Sequence, residues 1–234
     1  MKNLERKIKL SIGDRKTAWR VSADWTVPRG VHACYLFLTT TVIHSLVMLC
    51  FFIHFSQAIK SASQTSDLNL KYLRYLSKDI IHHASTMTHL TRLDLDSTSG
   101  LSAEGVKRFY GLSRLETLNF NHTNVLDDAL EGIGSLTRLK HLYLWETKVT
   151  DAGLPHLADL SSLKALSLGK CDGVTDAGMV QVGRLTEHES LVLSDTAVTD
   201  DGLQQLTALT KLTELWPAEG RDLKNDDVHR RIGR

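Results

Sequence analysis

The chain has 234 residues, a formal net charge of +1, and 42% hydrophobic, 6% aromatic and 24% charged residues. These values exclude a wholly disordered chain, a collagen and a disulfide-stapled miniprotein, and the length suffices for a sizeable core in one or two domains. The small net charge is a cancellation. Residues 1–30 carry eight basic against three acidic side chains, whereas 19 Lys and Arg face 24 Asp and Glu from residue 61 onward.

Residues 1–30 read as a basic N-terminal tail, in which Trp19 and Trp25 suit a membrane interface with anionic lipid, a solvated disordered tail being the alternative. From Gly30 to Ile59 there is no Lys, Arg, Asp or Glu, and residues 31–55 form an apolar run broken only by Ser, Thr and His. A bilayer core about 30 Å thick needs about 20 such residues as a helix, so 31–55 reads as a single transmembrane helix. Ser and Thr bond back to helix carbonyls there, and neutral His is tolerated. Two alternatives are a buried core helix, which rarely runs this long without a charge, and a cleaved signal peptide. A signal peptide normally has a shorter basic leader and a shorter apolar run, which favours an uncleaved signal anchor in a single-pass membrane protein. The positive-inside bias then places the N-terminus in the cytoplasm and the rest outside or in a lumen, although Lys60, Lys71 and Arg74 flank the other end.

Residues 56–88 read as a linker and a helical N-terminal cap. Leu68, Tyr72, Leu73, Leu76 and Ile80 recur at helical spacing, with Ser66 or Asp67 placed to cap the helix. From 89 to 217 the chain repeats itself about six times. The pattern Leu-x-x-Leu-x-Leu starts at Leu90, Leu115, Leu139, Leu163, His188 and Leu212, every 24 or 25 residues. Within a unit, Leu142 and Leu144 alternate with His141, Tyr143 and Trp145, the period of a strand with one buried face. Small residues follow at the turn, namely Thr98, Thr123, Thr147, Cys171 and Thr196, each suited to bond turn backbone inside the coil. Thr150-Asp151, Thr175-Asp176 and Thr199-Asp200, with Ser102 and Asp127 in less regular units, are candidate helix N-caps. Leu154, Leu157 and Leu160 then form a helical face directed back at the strand. No single unit can bury its own stripe, so the units must stack.

These residues resemble the leucine-rich repeat family, and specifically its ribonuclease-inhibitor-like and cysteine-containing subtypes. Gly173-Val-Thr-Asp-Ala-Gly-Met179 and Ala197-Val-Thr-Asp-Asp-Gly-Leu203 carry that subtype's turn into the helix. The resemblance implies an α/β solenoid with a parallel sheet on the concave side and helices on the convex side. Two departures stand out: His188 replaces a repeat leucine, and Pro217 replaces the last apolar residue of its unit. A hydrogen-bonded, partly buried imidazole is expected at His188. Residues 218–234 alternate charges without a repeat and read as a frayed cap or charged C-terminal tail.

No phosphate-binding glycine loop, zinc-protease helix, Cys-x-x-Cys pair or nucleophile elbow occurs, so neither catalysis nor a cofactor is expected. Cys34 and Cys50 fall in the apolar run and Cys171 at a turn, which implies no disulfide framework. His82, His83 and His89 lack metal-ligand spacing, so no metal site is expected. An acidic repeat region without a basic stripe argues against nucleic acid.

The candidate site is the concave face, where Asp94, Asp96, Asn119, Asn121, His141, Tyr143, Trp145 and Ser167 point outward between buried leucines. Tyr143 and Trp145 lie centrally and belong to the residue types enriched at binding hot spots. The expected function is that of a membrane-anchored, non-catalytic repeat protein that binds a protein partner on this face. The alternative is an F-box-like substrate adaptor of a ubiquitin ligase, which would need an F-box-like module in place of the apolar run. Asn121-His122-Thr123 is also a glycosylation sequon, usable in a eukaryotic secretory lumen.

Overall fold

The computed structural model describes residues 66–73, 76–218, 223–224 and 226–233, which belong to one compact unit, Ser66–Arg234. The basic tail 1–30, the candidate transmembrane segment 31–55 and the start of the linker lie outside the described residues. No helix among those described is long and apolar enough to cross a membrane.

Among the described residues, eight strands form one sheet in sequence order. They are β1 (Asp67–Asn69), β2 (Arg92–Asp94), β3 (Thr117–Asn119), β4 (His141–Tyr143), β5 (Ala165–Ser167), β6 (Ser190–Val192), β7 (Glu214–Trp216) and β8 (Leu223–Lys224). The first seven pair in parallel, and β8 closes the sheet antiparallel to β7. Each parallel strand is only three residues long because alternation needs one inward residue per rung. Leu68, Leu93, Leu118, Leu142, Leu166, Leu191 and Leu215 occupy that rung, in register and buried. Each such leucine contributes about 1.5–3 kcal/mol by leaving water, and only stacking removes it from water on all sides.

The chain leaves each of β1 to β6 through one residue in the left-handed region: Tyr72, Ser97, His122, Glu146, Lys170 and Asp195, with φ between 54° and 61°. The small residue after the turn then does what its position requires. Thr98, Thr123, Thr147 and Thr196 donate to the carbonyls of Leu95, Phe120, Leu144 and Leu193 at 2.6–2.8 Å. Cys171 reaches the Leu144 carbonyl of the preceding coil at 3.1 Å, beside Thr147 at 3.4 Å. Burial, only partly offset by Thr147, raises its thiol pKa, which suits a structural cysteine.

Opposite the strands lie α1 (Lys78–Thr86), α2 (Ala103–Lys107), α3 (Asp176–Val182), α4 (Asp200–Leu203) and short 3-10 turns such as Leu154–Leu157. Ser77, Ser102, Thr175 and Thr199 are their side-chain N-caps. Asp127 is not a cap of its own turn. Its carboxylate accepts from the N–H and hydroxyl of Thr150 in the next coil, at 2.8 and 2.7 Å. Asp151 holds Thr175, and Asp176 holds Thr199, in the same two-pronged way. In the Val-Thr-Asp-x-Gly signature, the threonine therefore addresses its own turn while the aspartate clasps the following coil. At Asp176 the two Thr199 bonds keep the carboxyl below its usual range.

Both ends of the array depart from expectation. Asp67–Ile81 is not a helical cap: it opens with β1 and a further complete coil, and the helix lies later, at Lys78–Thr86, capped by Ser77. Leu68 and Leu70 point into the core at the two-residue period of a strand, which outweighs the accidental helical spacing of Leu68 to Tyr72 and Leu76. Ser66, expected as a cap, instead offers its carbonyl to the N–H groups of Thr91 and Arg92.

At the other end, residues beyond 217 are not only a charged tail. They include β8 and α5 (Asp226–Arg231), and Val228 and Ile232 are fully buried. Arg231 pairs with Asp200, the carboxylate that a further coil's threonine would otherwise have taken.

Candidate functional site

The strand register arranges the outward side chains as three parallel rows. The first runs Asp67, Arg92, Thr117, His141, Ala165, Ser190, Glu214, and the second Asn69, Asp94, Asn119, Tyr143, Ser167, Val192, Trp216. The third follows the strands and runs Lys71, Asp96, Asn121, Trp145, Gly169 and Ser194, aligned by bonds such as Ser97 N to Asn121 O and Lys170 N to Ser194 O. All eight residues read from the sequence as the binding face lie on this grid.

The structure divides them into two groups. Over β1 to β3 the polar side chains already serve the backbone. Asn69, Asp94 and Asn119 each accept from the N–H two residues later, and Asn121 accepts from Trp145 N at 2.8 Å. Asp96 and Asn119 are mostly buried. Beside them runs a charged rim in which Lys71 pairs with Asp94 and Asp96, His122 with Asp96 at 2.9 Å, and Lys170 with Glu146 at 3.6 Å. Burial alone would raise the Asp96 pKa, but hydrogen bonds from His122 and Ser97 and the Lys71 charge lower it. Asp94, Asp96, Asn119 and Asn121 thus build the scaffold, with little polar capacity left for a partner.

From β4 onward the face changes character. His141 and Tyr143 stack with ring centroids 6.5 Å apart and planes 12° from parallel. Burial, then the Arg92 and Lys140 charges, lowers the His141 pKa, so this imidazole stays neutral near pH 7. The Trp145 indole lies across Gly169, where a Cβ would collide with its six-membered ring. The glycine thus makes room for the aromatic residue of the neighbouring coil. Ser167 is 7% exposed and shares the row of Tyr143.

Trp216 was missed because its unit looked finished at Pro217, yet its place two residues after Glu214 carried the signal. It stands in the Tyr143 row, directly beside Val192.

The sequon is locked into the fold. Asn121 holds Trp145 N, and the Thr123 hydroxyl is buried on the Phe120 carbonyl. Glycosylation at Asn121 would therefore have to precede folding.

His188 is fully buried at a leucine position, with Nδ1 at 3.1 Å from the Leu185 carbonyl and Nε2 without a partner among the described residues. It is a core group and lies away from the face. Among the described residues no group of three His, Cys, Asp or Glu side chains is placed to hold a metal ion.

Residues 159–182, the stretch from the turn after Leu157 through α3, match the family model described as Leucine Rich repeat. That stretch is a leucine-rich repeat. Among solved structures, internalin C2 of Listeria monocytogenes has the same fold at 22% identity and a TM-score of 0.54, covering 66% of this chain and 62% of its own. An internalin (inlF) of the same organism is 19% identical with a TM-score of 0.45, covering 75% and 61%. The plant peptide hormone receptor RGFR1 in complex with RGF2 is 16% identical with a TM-score of 0.43, covering 66% and 32%. The chain spans less than two thirds of the length of internalin C2. No curated protein matches the chain.

Proposed function

We propose that this leucine-rich repeat protein is a non-catalytic scaffold that captures a protein partner on the strand face of β4 to β7, and that residues 31–55 anchor it in a membrane. The observation that carries the binding reading is the contrast across the face. Polar groups of β1 to β3 are engaged internally, whereas the side chains of Tyr143, Trp145 and Trp216 present aromatic surface with no hydrogen bond to another described residue. The Val-Thr-Asp-Ala-Gly turn favours the ribonuclease-inhibitor-like or cysteine-containing subtype, and no observation favours the ubiquitin-ligase adaptor. The uncharged segment between a basic leader and an acidic repeat region supports an anchor with its N-terminus in the cytoplasm.

Two measurements test this reading. The double variant Tyr143→Ala with Trp145→Ala is expected to lose at least about 2 kcal/mol of partner affinity, roughly thirtyfold, while keeping its melting curve. Unchanged affinity in the folded variant would remove the strand face from consideration. In sealed membrane vesicles, an epitope at one end only is expected to resist protease until detergent is added. Equal cleavage at both ends would end the anchored arrangement.

A further inference from the structure

Three aspartates each hold the coil that follows them, and the held element is the same each time. The carboxylates of Asp127, Asp151 and Asp176 accept from the N–H and the hydroxyl of Thr150, Thr175 and Thr199, all at 2.9 Å or less. Two residues before Thr175 and Thr199, the incoming chain lies parallel to the preceding coil, through Gly173 on Thr150 and Ala197 on Thr175. Three residues after each held threonine stands Gly153, Gly178 or Gly202, where a Cβ would collide with the holding aspartate. The held element is therefore an extended Val-Thr-x-x-Gly segment, recognised by two donors and one missing Cβ.

The last coil presents the holding groups once more. Asp200 follows Thr199 as Asp151 follows Thr150 and Asp176 follows Thr175. The carbonyls of Val125 and Val174 accept from the N–H groups of Lys148 and Ala197 in the next coil, at 3.0 and 3.1 Å. Their counterpart on Val198 accepts from no other described residue. Val198, Thr199, Asp200, Pro217 and Arg231 line a cleft of about 480 Å³, within the size range of ligand sites. Arg231 reaches one carboxylate oxygen of Asp200, but the two side chains are 43% and 67% exposed, and a solvated pair of this kind opens easily.

The chain has no spare copy of the element to place there. Its copies at 149–153, 174–178 and 198–202 are already held within the array. Outside the described residues the glycines are Gly13, Gly30 and Gly220, and three positions before them stand Leu10, Val27 and Pro217, none with a hydroxyl. An occupant with the right donors must come from another protein.

We propose that the end of the array at Asp200 is a docking site for an extended Val-Thr-x-x-Gly segment of a partner protein. The segment adds one rung beside Thr199, its threonine taking the Asp200 carboxylate in place of Arg231. Backbone bonds supply affinity, while the hydroxyl and the glycine supply specificity. The site uses none of the aromatic residues of the strand face, so it goes beyond the binding reading above, and its failure would leave that reading untouched.

The test titrates the full-length chain in detergent micelles with an end-blocked peptide of the sequence Gly173-Val-Thr-Asp-Ala-Gly-Met179, followed by NMR of the peptide. Two further peptides carry Thr175→Val, which keeps the shape and removes the hydroxyl, and Gly178→Ala. Saturable binding of the first peptide is expected, weakened at least about tenfold by either peptide change and by Asp200→Asn in the protein. Arg231→Ala is expected to tighten binding about threefold by removing the competitor.

No saturable binding, equal binding of the Thr175→Val peptide, or native affinity in folded Asp200→Asn would overturn the proposal. Weaker binding by Arg231→Ala would overturn it too, because the cap and not the carboxylate would then hold the peptide. The two altered peptides are tested on the native protein, so the outcome does not depend on any variant folding.

Discussion

Replacing Gly178 with alanine is expected to destabilise the repeat domain by about 4 kcal/mol. The sign is diagnostic, because alanine in a helix interior normally gains up to about 1 kcal/mol over glycine. Gly178 lies in the first turn of α3, and a Cβ there would sit on the Asp151 carboxylate and 2.6 Å from Leu154 Cδ1. The aspartate cannot withdraw without releasing the Thr175 N–H and hydroxyl that it holds at 2.9 Å and closer. Overpacking costs about 1–3 kcal/mol, and loss of a hydrogen-bonded charge about as much again.

The same clash recurs at Gly153 against Asp127 and at Gly202 against Asp176, so the effect belongs to the signature and not to one site. Gly111, whose Cβ would meet nothing within 4 Å, is the matched control. Urea midpoints at pH 7 measure the difference. If Gly178→Ala unfolded at the same urea concentration as Gly111→Ala, the coil-to-coil clasp would have no energetic standing.

The second large effect is at His188, where leucine is expected to make the domain more stable and less sensitive to acid. Burial lowers the folded-state pKa of this imidazole from 6.5 to about 4, against which the Leu185 carbonyl pulls weakly upward. The unfolded state therefore binds the extra proton between these values, and stability must fall as pH drops through that window. Above pH 6.5 the group imposes almost no proton-linked penalty, and below pH 4 the penalty levels off at roughly 3 kcal/mol. Between pH 7 and pH 5 the native chain should lose about 2 kcal/mol from this residue alone.

His188→Leu removes that loss. At pH 7 it should also gain about 1–2 kcal/mol, since Nε2 no longer lies buried without a partner among the described residues. Denaturation at pH 7 and pH 5 gives both numbers. A variant with the native pH dependence would show that the acid sensitivity originates elsewhere.

Much of the fold was legible in the chain itself, and the reason is periodic. Alternation places Leu142 inward and Tyr143 outward whatever the neighbouring coil does, and a 24- or 25-residue repeat aligns such residues without any tertiary information. The turn residues Thr98, Thr123, Thr147 and Thr196 were legible for the same reason, since each bonds a carbonyl three residues back in its own coil. The first coil was hidden because Thr65 stands where the other units begin with leucine or histidine, leaving Leu68 and Leu70 as its only strand signal. The C-terminal cap was hidden because α5 is too short and too charged to show an apolar stripe. Among the described residues there, only Val228 and Ile232, four residues apart, are buried.

Interactions that cross from one coil to the next were not legible at all. Asp127, Asp151 and Asp176 look like capping residues by their spacing, yet their partners lie 23 or 24 residues away. The candidate face divides on the same principle. The sequence by itself determined which side chains share the face, because strand period and repeat length are local properties. The tertiary structure alone decided which of them remain available, because hydrogen bonds such as Asn121 to Trp145 and the packing of Trp145 on Gly169 exist only once one coil lies against another.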